Sequence, residues 1–572
     1  MNHRTDEIAR QVAVAVGREP ADLVVKNAAV YALTTGETRR GDIAIAGDRI
    51  AGIGSCYSGK SEFDGSGMIA VPGFIDTHVH LESTMVTPYE FDRLVVPHGV
   101  TTAICDPHEL ANVAGTAAFD YFFRAAEGMV LDLYVQLSSC VPATEFDSGG
   151  AVLDAAALAG YLKHPKCLGL AEMMNIPGLL KGDPGVLEKL ALVYPKPVDG
   201  HCPLVSGRNL NACLAAGIRN CHETNLVSEA MEKIEKGMTL LIREGSVGRN
   251  LDALIPLLTP ITAGSCAFCT DDRDPFDIHE KGHIDYMIRR AIELGGDPLS
   301  VYRAATVAAA RSFGLRDRGL IAPGYRADIA LLSDLGGCRI ERMIAAGRLV
   351  DDALFASRPP EPPADVFRHS VKLKPVEAEC FKVRSGRART TVIDSQEGIL
   401  LTGRLTVELR LVDGVKYADP GRDVLKLAVL ARHGGEPRTG LGFVHGFGIR
   451  NGALASSVGH DSHNLCVVGA NDGDMAVAVN ALIECGGGFV AVENGKVLAL
   501  LPLEIGGLIS AEPFADMLPK LKKVIDAAHR LGCRFREPFQ QLSFLPLPVI
   551  PHLRLTDRGL FDVDKFEFVR EY

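Results

Sequence analysis

The sequence lacks any apolar run long enough to span a bilayer, which argues against a helical membrane protein. Residues 1–18 mix charged and apolar side chains and lack the apolar core and cleavage site of a secretory signal. An excess of basic residues is also missing, since the formal net charge is −11. Binders of nucleic acid or anionic membranes need a basic face, so neither partner is expected. We therefore expect a cytoplasmic protein that acts on a small molecule.

A second cysteine pair, which a zinc site built on cysteines would need, is also absent. The 14 cysteines are scattered, and many lie in apolar, strand-like segments. Cys266 and Cys269 form the single CxxC motif. Reduced thiols in a long cytoplasmic chain usually act as small core side chains. We predict that this pair lies in the core.

The length of 572 residues exceeds one ordinary core, so several domains are expected. Short β-rich segments at 23–31, 42–53 and 68–71 predict a small sheet within residues 1–72. Residues 319–360 return to this pattern and are expected to rejoin that sheet. A proline cluster at 358–363 is typical of a stiff linker. Residues 361–572 then predict a C-terminal α+β domain.

Residues 73–318 alternate between short apolar strands and helices, which predicts a (β/α)8 TIM-type barrel within an α/β fold. Helices are predicted at 111–126, 153–163, 185–193, 228–236 and 284–294. The predicted strands are 73–77, 101–105, 133–137, 169–171, 197–199, 218–220, 238–242 and 262–268.

The sharpest motif is PGFIDTHVH at residues 72–80, which carries His78 and His80. Residues two apart on a strand point to the same side, so both imidazoles can reach one metal ion. Barrel active sites lie at the carboxyl ends of the strands, where this pair falls. Two ordinary structural histidines are the competing interpretation of so short a motif.

Polar side chains stand where four further apolar strands end. They are Glu172, His201, His222 and the neighbours Asp271 and Asp272. With the first motif, polar residues of the metal-ligand type follow five strands, which is more than a chance arrangement predicts. Imidazole and carboxylate ligands converging at the barrel mouth predict a two-metal site.

The motif at 72–80 resembles the first-strand motif of the amidohydrolase superfamily. Four other segments are similar to the adenine deaminase family within it: HLESTMVTP at 80–88, DPHELANV at 106–113, CTDDRDP at 269–275 and VGHDSHN at 458–464. The similarity extends from about residue 22 to the C-terminus. It implies that the flanking sheet is a small β-sandwich and that the C-terminal α+β domain is of the adenine deaminase type.

The resemblance also implies a set of metal ligands: His78, His80, Glu172, His201, His222 and Asp271. The two histidines of the first motif would bind one ion, and Glu172 would bridge to a second ion held by His201 and His222. Asp272 remains an alternative to Asp271. The expected cofactor is two divalent ions, with manganese or iron favoured and zinc possible.

The implied reaction is hydrolysis of adenine to hypoxanthine and ammonia by a metal-activated hydroxide, in purine salvage and adenine catabolism. Asp271 or Asp272 would move the proton of the water. Glu82 could protonate a ring nitrogen if burial raises its pKa. His108, at the end of the second strand with Asp106, would support the metal ligands or bind a further ion.

The C-terminal segment at 458–464 offers four candidate substrate-binding residues: His460, Asp461, His463 and Asn464. Such a loop could close over the barrel mouth and contact the purine edge, or serve only as a structural or interface loop. By resemblance, a homodimer or larger assembly is expected.

Three competing functions remain at this point. An amino-sugar deacetylase also resembles this ligand set. A cyclic-amide hydrolase usually needs a bridging lysine, which Glu172 replaces here. A catalytically silent binding or scaffold protein would be expected to lose ligands, and every expected position is filled.

Overall fold

The first sheet is assembled from both sides of the barrel sequence. In the computed structural model, which describes residues 3–569, Ile69–Pro72 pairs antiparallel with Ile329–Asp334. Residues 1–2 and 570–572, at the two ends of the predicted domains, lie outside the described residues. The other strands of this sheet are Ala21–Ala32, Glu37–Ala46, Arg49–Gly54, Gly59–Asp64, Arg339–Ala345 and Arg348–Leu349, and helix His3–Ala15 precedes them.

Parallel strands form a TIM-type barrel in the middle of the chain. Five join one parallel sheet: Phe74–Val79, Val100–Cys105, Asp132–Leu137, Cys167–Met173 and Val198–Gly200. Three join another: Asn220–Cys221, Thr239–Arg243 and Cys266–Cys269. Parallel bridges from Val198 to Ile218 and from Val79 to Asp271 connect the two sheets at both edges.

Helices cover the outside of the barrel strands. Their bounds are Pro88–Val95, His108–Ala114, Ala117–Gly128, Ala155–Ala159, Ile176–Lys181, Pro184–Val193, Gly207–Ala215, Val227–Glu235, Leu251–Leu254, Pro275–Lys281, Ile284–Glu293, Pro298–Ala305 and Val307–Ser312. Short 3-10 turns occupy Leu81–Thr84, Val96–His98, Ile255–Leu257 and Ala263–Ser265.

Four of the predicted barrel elements differ clearly from the structure. The strand predicted at 218–220 is observed as Asn220–Cys221. The single helix predicted at 111–126 is two helices, because the chain turns at Gly115 with φ +64°. The helix predicted at 153–163 is limited to Ala155–Ala159, and Asp154 caps it by accepting from the Ala157 amide. The strand predicted at 262–268 begins only at Cys266, after a 3-10 turn.

Cys266 and Cys269 are buried, unpaired thiols, as predicted.

Beyond the first sheet, the chain folds into mixed α and β structure. An eight-stranded sheet contains Arg389–Gln396, Ile399–Glu408, Val424–Leu430, Thr439–His445, Ala453–Ser456, Leu465–Gly469, Gly488–Glu493 and Lys496–Pro502. Two three-stranded sheets contain Val383–Arg384, Leu411–Val412, Val415–Lys416, Leu553–Thr556, Gly559–Asp562 and Glu567–Phe568. The helices are Asp352–Ala356, Asp472–Cys485, Phe514–Arg530 and Pro538–Ser543, with 3-10 turns at Asp365–Phe367, Ala378–Phe381 and Pro420–Arg422.

The proline-rich segment at 358–363 is fastened to the barrel. Arg358 stacks on the Tyr89 ring with its guanidinium carbon 4.4 Å from the centroid, and its NH1 is 2.8 Å from Asp92 Oδ2. Glu361 accepts a hydrogen bond of 3.1 Å from the Tyr89 amide. The segment is therefore held along helix Pro88–Val95.

Within residues 3–569, no helix has the length and apolar character to cross a membrane.

Candidate active site

The histidines predicted as ligands come together at one end of the barrel. His78 lies near the end of strand Phe74–Val79, and His80 follows that strand directly. His201 and His222 each follow directly after a strand. Since the strands are parallel, their carboxyl ends meet at one mouth. The fold thus brings side chains separated by more than a hundred residues into one cluster.

His78 and His80 face each other and a single carboxylate. Their Nε2 atoms are 3.2 Å apart, and Asp271 Oδ1 is 3.6 Å from His78 Nε2 and 3.1 Å from His80 Nε2. The other nitrogen of His80, Nδ1, lies 3.1 Å from the carbonyl oxygen of Asp106. This backbone contact orients the ring, because it fixes which imidazole nitrogen points toward Asp271.

Glu172 lies between the two histidine pairs. Its Oε1 is 3.3 Å from His80 Nε2, and its Oε2 is 2.8 Å from His201 Nδ1. The same Oε2 is 3.2 Å from His222 Nε2. One carboxylate thus reaches both sides of the cluster with different oxygens, which is the geometry a bridging ligand requires.

His108 extends the cluster along the second strand. Its Nδ1 is 3.3 Å from Asp106 Oδ2 and 3.4 Å from Glu172 Oε1. Cys140 Sγ also lies 3.3 Å from this nitrogen. Ser138 donates a hydrogen bond of 2.7 Å to the other oxygen of Asp106. His108 is therefore held against Glu172 by neighbours from the second and third strands.

Arg243 is a site residue that the sequence analysis missed. It ends strand Thr239–Arg243 and is almost fully buried. Its NH1 is 2.8 Å from Asp271 Oδ2, and its NH2 donates a hydrogen bond of 3.0 Å to Glu223 Oε1. Burial alone would raise the pKa of Asp271, but Arg243 and the hydrogen bond from His78 hold it well below its usual range. A polar residue closing an apolar strand is the signal that could have revealed it.

Asp272 and Glu82 occupy different positions around the mouth. Asp272 lines the central cavity, and Ser83 donates a hydrogen bond of 2.5 Å to its Oδ1. Glu82 does not line the cavity; its Oε1 accepts from the Leu110 amide at 3.0 Å. Burial raises the pKa of Glu82 to about 7. The raised pKa expected for Glu82 is therefore present. The side chain does not reach the cavity, however, because it accepts from an amide in the first turn of helix His108–Ala114.

A buried pair beneath the mouth also escaped the sequence analysis. Asp76 Oδ2 lies 2.7 Å from His283 Nε2 and accepts a hydrogen bond of 2.5 Å from Thr270 Oγ1. Asp199 Oδ2 approaches His78 Nδ1 at 3.8 Å. These contacts support the strand ends from below, and only the long-range packing of the barrel brings them together.

A cavity of about 480 Å³ opens above the histidine cluster. The barrel contributes polar side chains, among them His108, Asp271 and Asp272. The C-terminal region contributes apolar walls and two polar side chains: Leu400, Leu401, Phe544, Ile550, His460 and Asp461. His460 stacks on Phe544, with ring centroids 4.4 Å apart. The cavity therefore combines a polar floor with a largely apolar roof.

His463 and Asn464 do not line this cavity, although they were predicted to bind substrate. His463 has φ +54°, and both of its ring nitrogens are buried without a hydrogen-bond partner. Asn464 accepts a hydrogen bond of 3.2 Å from the Arg432 amide and donates one of 3.0 Å to the Ser148 carbonyl. Asn464 thus joins the C-terminal region to the barrel.

The donor set suits a divalent metal ion. Several groups of three or four buried or partly buried side chains have their ligand atoms within 4.8 Å of one another, including His78 with His222 and Asp271, and Glu172 with His201 and His222. Imidazole and carboxylate together favour ions such as manganese, iron or zinc. The Nδ1 atoms of His78 and His222 are buried without a hydrogen-bond partner, while their Nε2 atoms face the carboxylates of the cluster.

Comparisons with known proteins identify related sequences over nearly the whole chain. Residues 69–350 match the model of the amidohydrolase family, and residues 399–567 match that of the adenine deaminase C-terminal domain. The adenine deaminase of Methylobacterium nodulans is 56% identical over 98% of this chain and 99% of its own length. That of Gluconobacter oxydans is also 56% identical over the same shares.

A solved adenine deaminase structure covers 58% of this chain and 100% of its own, with 18% identity and a TM-score of 0.42. That likeness is too weak to support an argument. The identity to the curated relatives extends over nearly the whole chain and includes both matched regions. The chain therefore belongs to the adenine deaminase family of amidohydrolases.

Proposed function

We propose that this chain hydrolyses adenine to hypoxanthine and ammonia, using two divalent ions with manganese or iron favoured. The observation that carries the proposal is Glu172, whose two oxygens contact histidines from opposite sides of the barrel mouth. The curated relatives that share this sequence over nearly their full length are named adenine deaminases. Purine salvage is the physiological setting that follows from such a reaction.

The residues fit a two-ion centre. His78 and His80 would hold one ion with Asp271, and His201 and His222 would hold the other. Glu172 would join them. Ions held there act as Lewis acids and lower the pKa of a water molecule toward neutrality, which supplies a nucleophile at physiological pH.

Two carboxylates are placed for proton transfer. Asp271 faces the histidines with one oxygen, and Arg243 orients the other. We therefore propose that Asp271 accepts the proton of the attacking water. Asp272 faces the cavity and is oriented by Ser83, so we assign it the proton that a ring nitrogen or the leaving amine must receive. Direct donation by Glu82 is not supported, because Glu82 lies outside the cavity lining.

The roof of the cavity suits a flat heterocyclic base. Leu401 and Phe544 offer apolar surface, and His460 and Asp461 offer polar atoms at the same level. A purine has apolar faces and polar edges, so it can use both at once. We therefore assign the orientation of adenine to the C-terminal region, with the exocyclic amine directed to the barrel floor.

Ammonia release by the purified, Mn(II)-loaded protein tests the proposal. Adenine should be hydrolysed, while adenosine, guanine, N-acetylglucosamine 6-phosphate and dihydroorotate should not. His78→Ala and Glu172→Ala should each lose at least about a hundredfold in kcat, since both remove ligands from the activating centre. His279→Ala, which alters an exposed histidine of a barrel helix, is the matched control and should retain activity.

Bound metal without turnover of adenine would overturn the substrate assignment. Release of acetate from the amino sugar would then favour deacetylation. Full activity of His78→Ala would instead reject the metal site itself. The two failures are separable because metal content is measured on the same samples.

We further propose that the chain is cytoplasmic, forms a homodimer or larger assembly, and divides into domains at the boundaries expected from its sequence. In this division a (β/α)8 barrel over 73–318 interrupts a small β-sandwich of residues 1–72 and 319–360, and an α+β domain follows over 361–572. The antiparallel pairing of Ile69–Pro72 with Ile329–Asp334 supports the interrupted sandwich.

A further inference from the structure

A second cluster of metal-type ligands lies beside the catalytic mouth, between the barrel and the C-terminal region. Glu109, in helix His108–Ala114, meets His460 and His463 from the segment at 458–464. One ligand atom from each lies within 4.8 Å of the others, and all three side chains are buried. None of the three is needed for the two-ion centre.

The cluster has donor atoms that the protein leaves unused. Both ring nitrogens of His463 and the Oε2 atom of Glu109 are buried and lack a hydrogen-bond partner. The described chain, residues 3–569, provides no lysine or arginine that pairs with Glu109. Its nearest ionic contact is His460 Nδ1, at 3.6 Å from Oε1. Leaving such groups unpaired in the interior is unfavourable, and more so for a charged group.

The surroundings of the cluster are acidic. Ser83 Oγ lies 3.0 Å from Glu109 Oε1 and donates a hydrogen bond to Asp272. The same hydroxyl therefore contacts two carboxylates. Asp461 Oδ1 is 3.8 Å from His460 Nδ1, and its Oδ2 has no partner. The buried Arg432 donates hydrogen bonds to the carbonyl oxygens of His463 and Gly506 and to Ser370 Oγ, and not to a carboxylate. Buried carboxylates without a lysine or arginine partner favour a bound cation.

The spacing also fits a single ion. Two ligands at about 2.1 Å from one tetrahedral ion lie roughly 3.4 Å apart, which is close to the 3.6 Å between His460 Nδ1 and Glu109 Oε1. The His460 and His463 rings are 5.4 Å apart at an angle of 63°, so they approach from different directions. Stacking on Phe544 fixes the first of these rings.

We propose that Glu109, His460 and His463 bind a further divalent cation, distinct from the two of the catalytic centre. Two imidazoles and one carboxylate form a common ligand set for manganese, iron or zinc. The ion connects a barrel helix to the C-terminal segment that carries His460 and Asp461. It therefore holds that segment over the cavity.

Metal counting tests this inference directly. Protein stripped with a chelator, reloaded with Mn(II) and desalted is analysed for manganese by mass spectrometry. The wild type should retain three ions per chain, and His463→Gln and Glu109→Gln should retain two. His279→Gln and Glu280→Gln, which alter exposed residues of helix Pro275–Lys281, are matched controls and should retain three.

Diffraction from wild-type crystals grown with Mn(II) gives a second measurement that needs no variant. An anomalous peak between Glu109 and His463 is expected at the manganese edge. Two ions per wild-type chain with no peak there would overturn the inference while leaving the catalytic centre intact. Loss of ions from His78→Ala with the third peak retained would separate the two sites.

Discussion

At the scale of single residues, Arg243 decides how Asp271 can act. The arginine contacts Asp271 and Glu223 at once, and burial removes the water that would otherwise screen them. A planar guanidinium can satisfy both carboxylates, whereas a lysine presents one point of charge. The orientation of Asp271 toward His80 therefore depends on a residue that does not touch that histidine.

Arg243→Lys is accordingly expected to lower kcat for adenine roughly tenfold or more, because one buried carboxylate loses its partner. Steady-state kinetics and metal analysis on the same preparation measure the effect. Arg290→Lys, at an exposed pair with Asp252, is the control and should change kcat less than twofold. Equal activity of the two variants would show that Arg243 is not required to orient Asp271.

His433 makes stability depend on pH. Its Nε2 lies 2.6 Å from the Ser462 carbonyl oxygen, and burial together with Arg432 lowers its pKa to about 3. The ring is thus neutral in the folded protein, while the unfolded chain takes up a proton below a pH of about 6.5. The contribution of His433 to the free energy of unfolding is therefore complete above pH 6.5 and is lost as the pH falls toward 3.

Between pH 7.5 and pH 5, this histidine should cost the wild type about 2 kcal/mol of unfolding free energy. His433→Gln retains a donor for Ser462 and should remove that part of the pH dependence. Denaturant unfolding at both pH values measures the difference. The control variant His279→Gln should lose the same free energy of unfolding as the wild type. If His433→Gln loses as much as the wild type does, other groups cause the pH dependence of stability.

At the scale of elements, Gly115 explains why one predicted helix is two. The apolar pattern of 111–126 is helical throughout, but the backbone at Gly115 has φ +64° and ψ −140°. Residues with a Cβ rarely adopt this region. A Cβ there would also meet Ala151 Cβ at 3.3 Å. Periodicity could not reveal the break, because it reports which face is buried and not where the axis turns.

Gly115→Ala should therefore lower stability by about 1–3 kcal/mol. Gly160→Ala is the matched control, since Gly160 has φ −63° and open space around its Cβ position. That change should be neutral or stabilising by up to about 1 kcal/mol. Thermal and denaturant unfolding compare the two variants. A stable Gly115→Ala protein would mean that the helices can join without strain.

The barrel strands were largely predictable from the sequence, because most of them are short, mainly apolar runs and several are followed by a polar residue. The strand predicted at 101–105 is observed as Val100–Cys105, and that predicted at 133–137 as Asp132–Leu137. The family was indicated separately, by motifs such as those at 72–80, 106–113 and 458–464 that resemble its members, and the curated relatives confirm it. The contact of Asp76 with His283 joins residues 207 positions apart and has no local pattern to reveal it.

At the scale of the whole molecule, the cavity belongs to two regions of the chain. Its floor comes from the barrel and its roof from residues such as Leu401 and Phe544. The sequence indicated a loop near 458–464 that could approach the mouth, and His460 and Asp461 do line it. It could not indicate that His463 lies outside the cavity lining, because the packing of this loop against the barrel has no local pattern in the sequence.

Phe544→Ala should raise the KM for adenine about tenfold and leave the two ions of the catalytic centre bound, since stacking of a base on an aromatic ring contributes roughly 1–3 kcal/mol. Phe544→Leu should recover part of that loss by restoring apolar contact. Tyr417→Ala, at a partly exposed ring elsewhere in the C-terminal region, is the control. An unchanged KM for Phe544→Ala would place the base away from this wall.

The pairing of Ile69–Pro72 with Ile329–Asp334 has a consequence for the order in which the protein is made. A ribosome releases the first of these strands some 260 residues before the second, roughly ten to fifty seconds earlier at ordinary rates of translation. Throughout that interval the unpaired edge of the first strand is available to other nascent chains. The polar segment at 59–64, which contains Lys60 and Glu62, pairs alongside Ala21–Ala32 in this sheet. Charge on a neighbouring strand gives the waiting sheet some protection against intermolecular pairing until its own partner emerges.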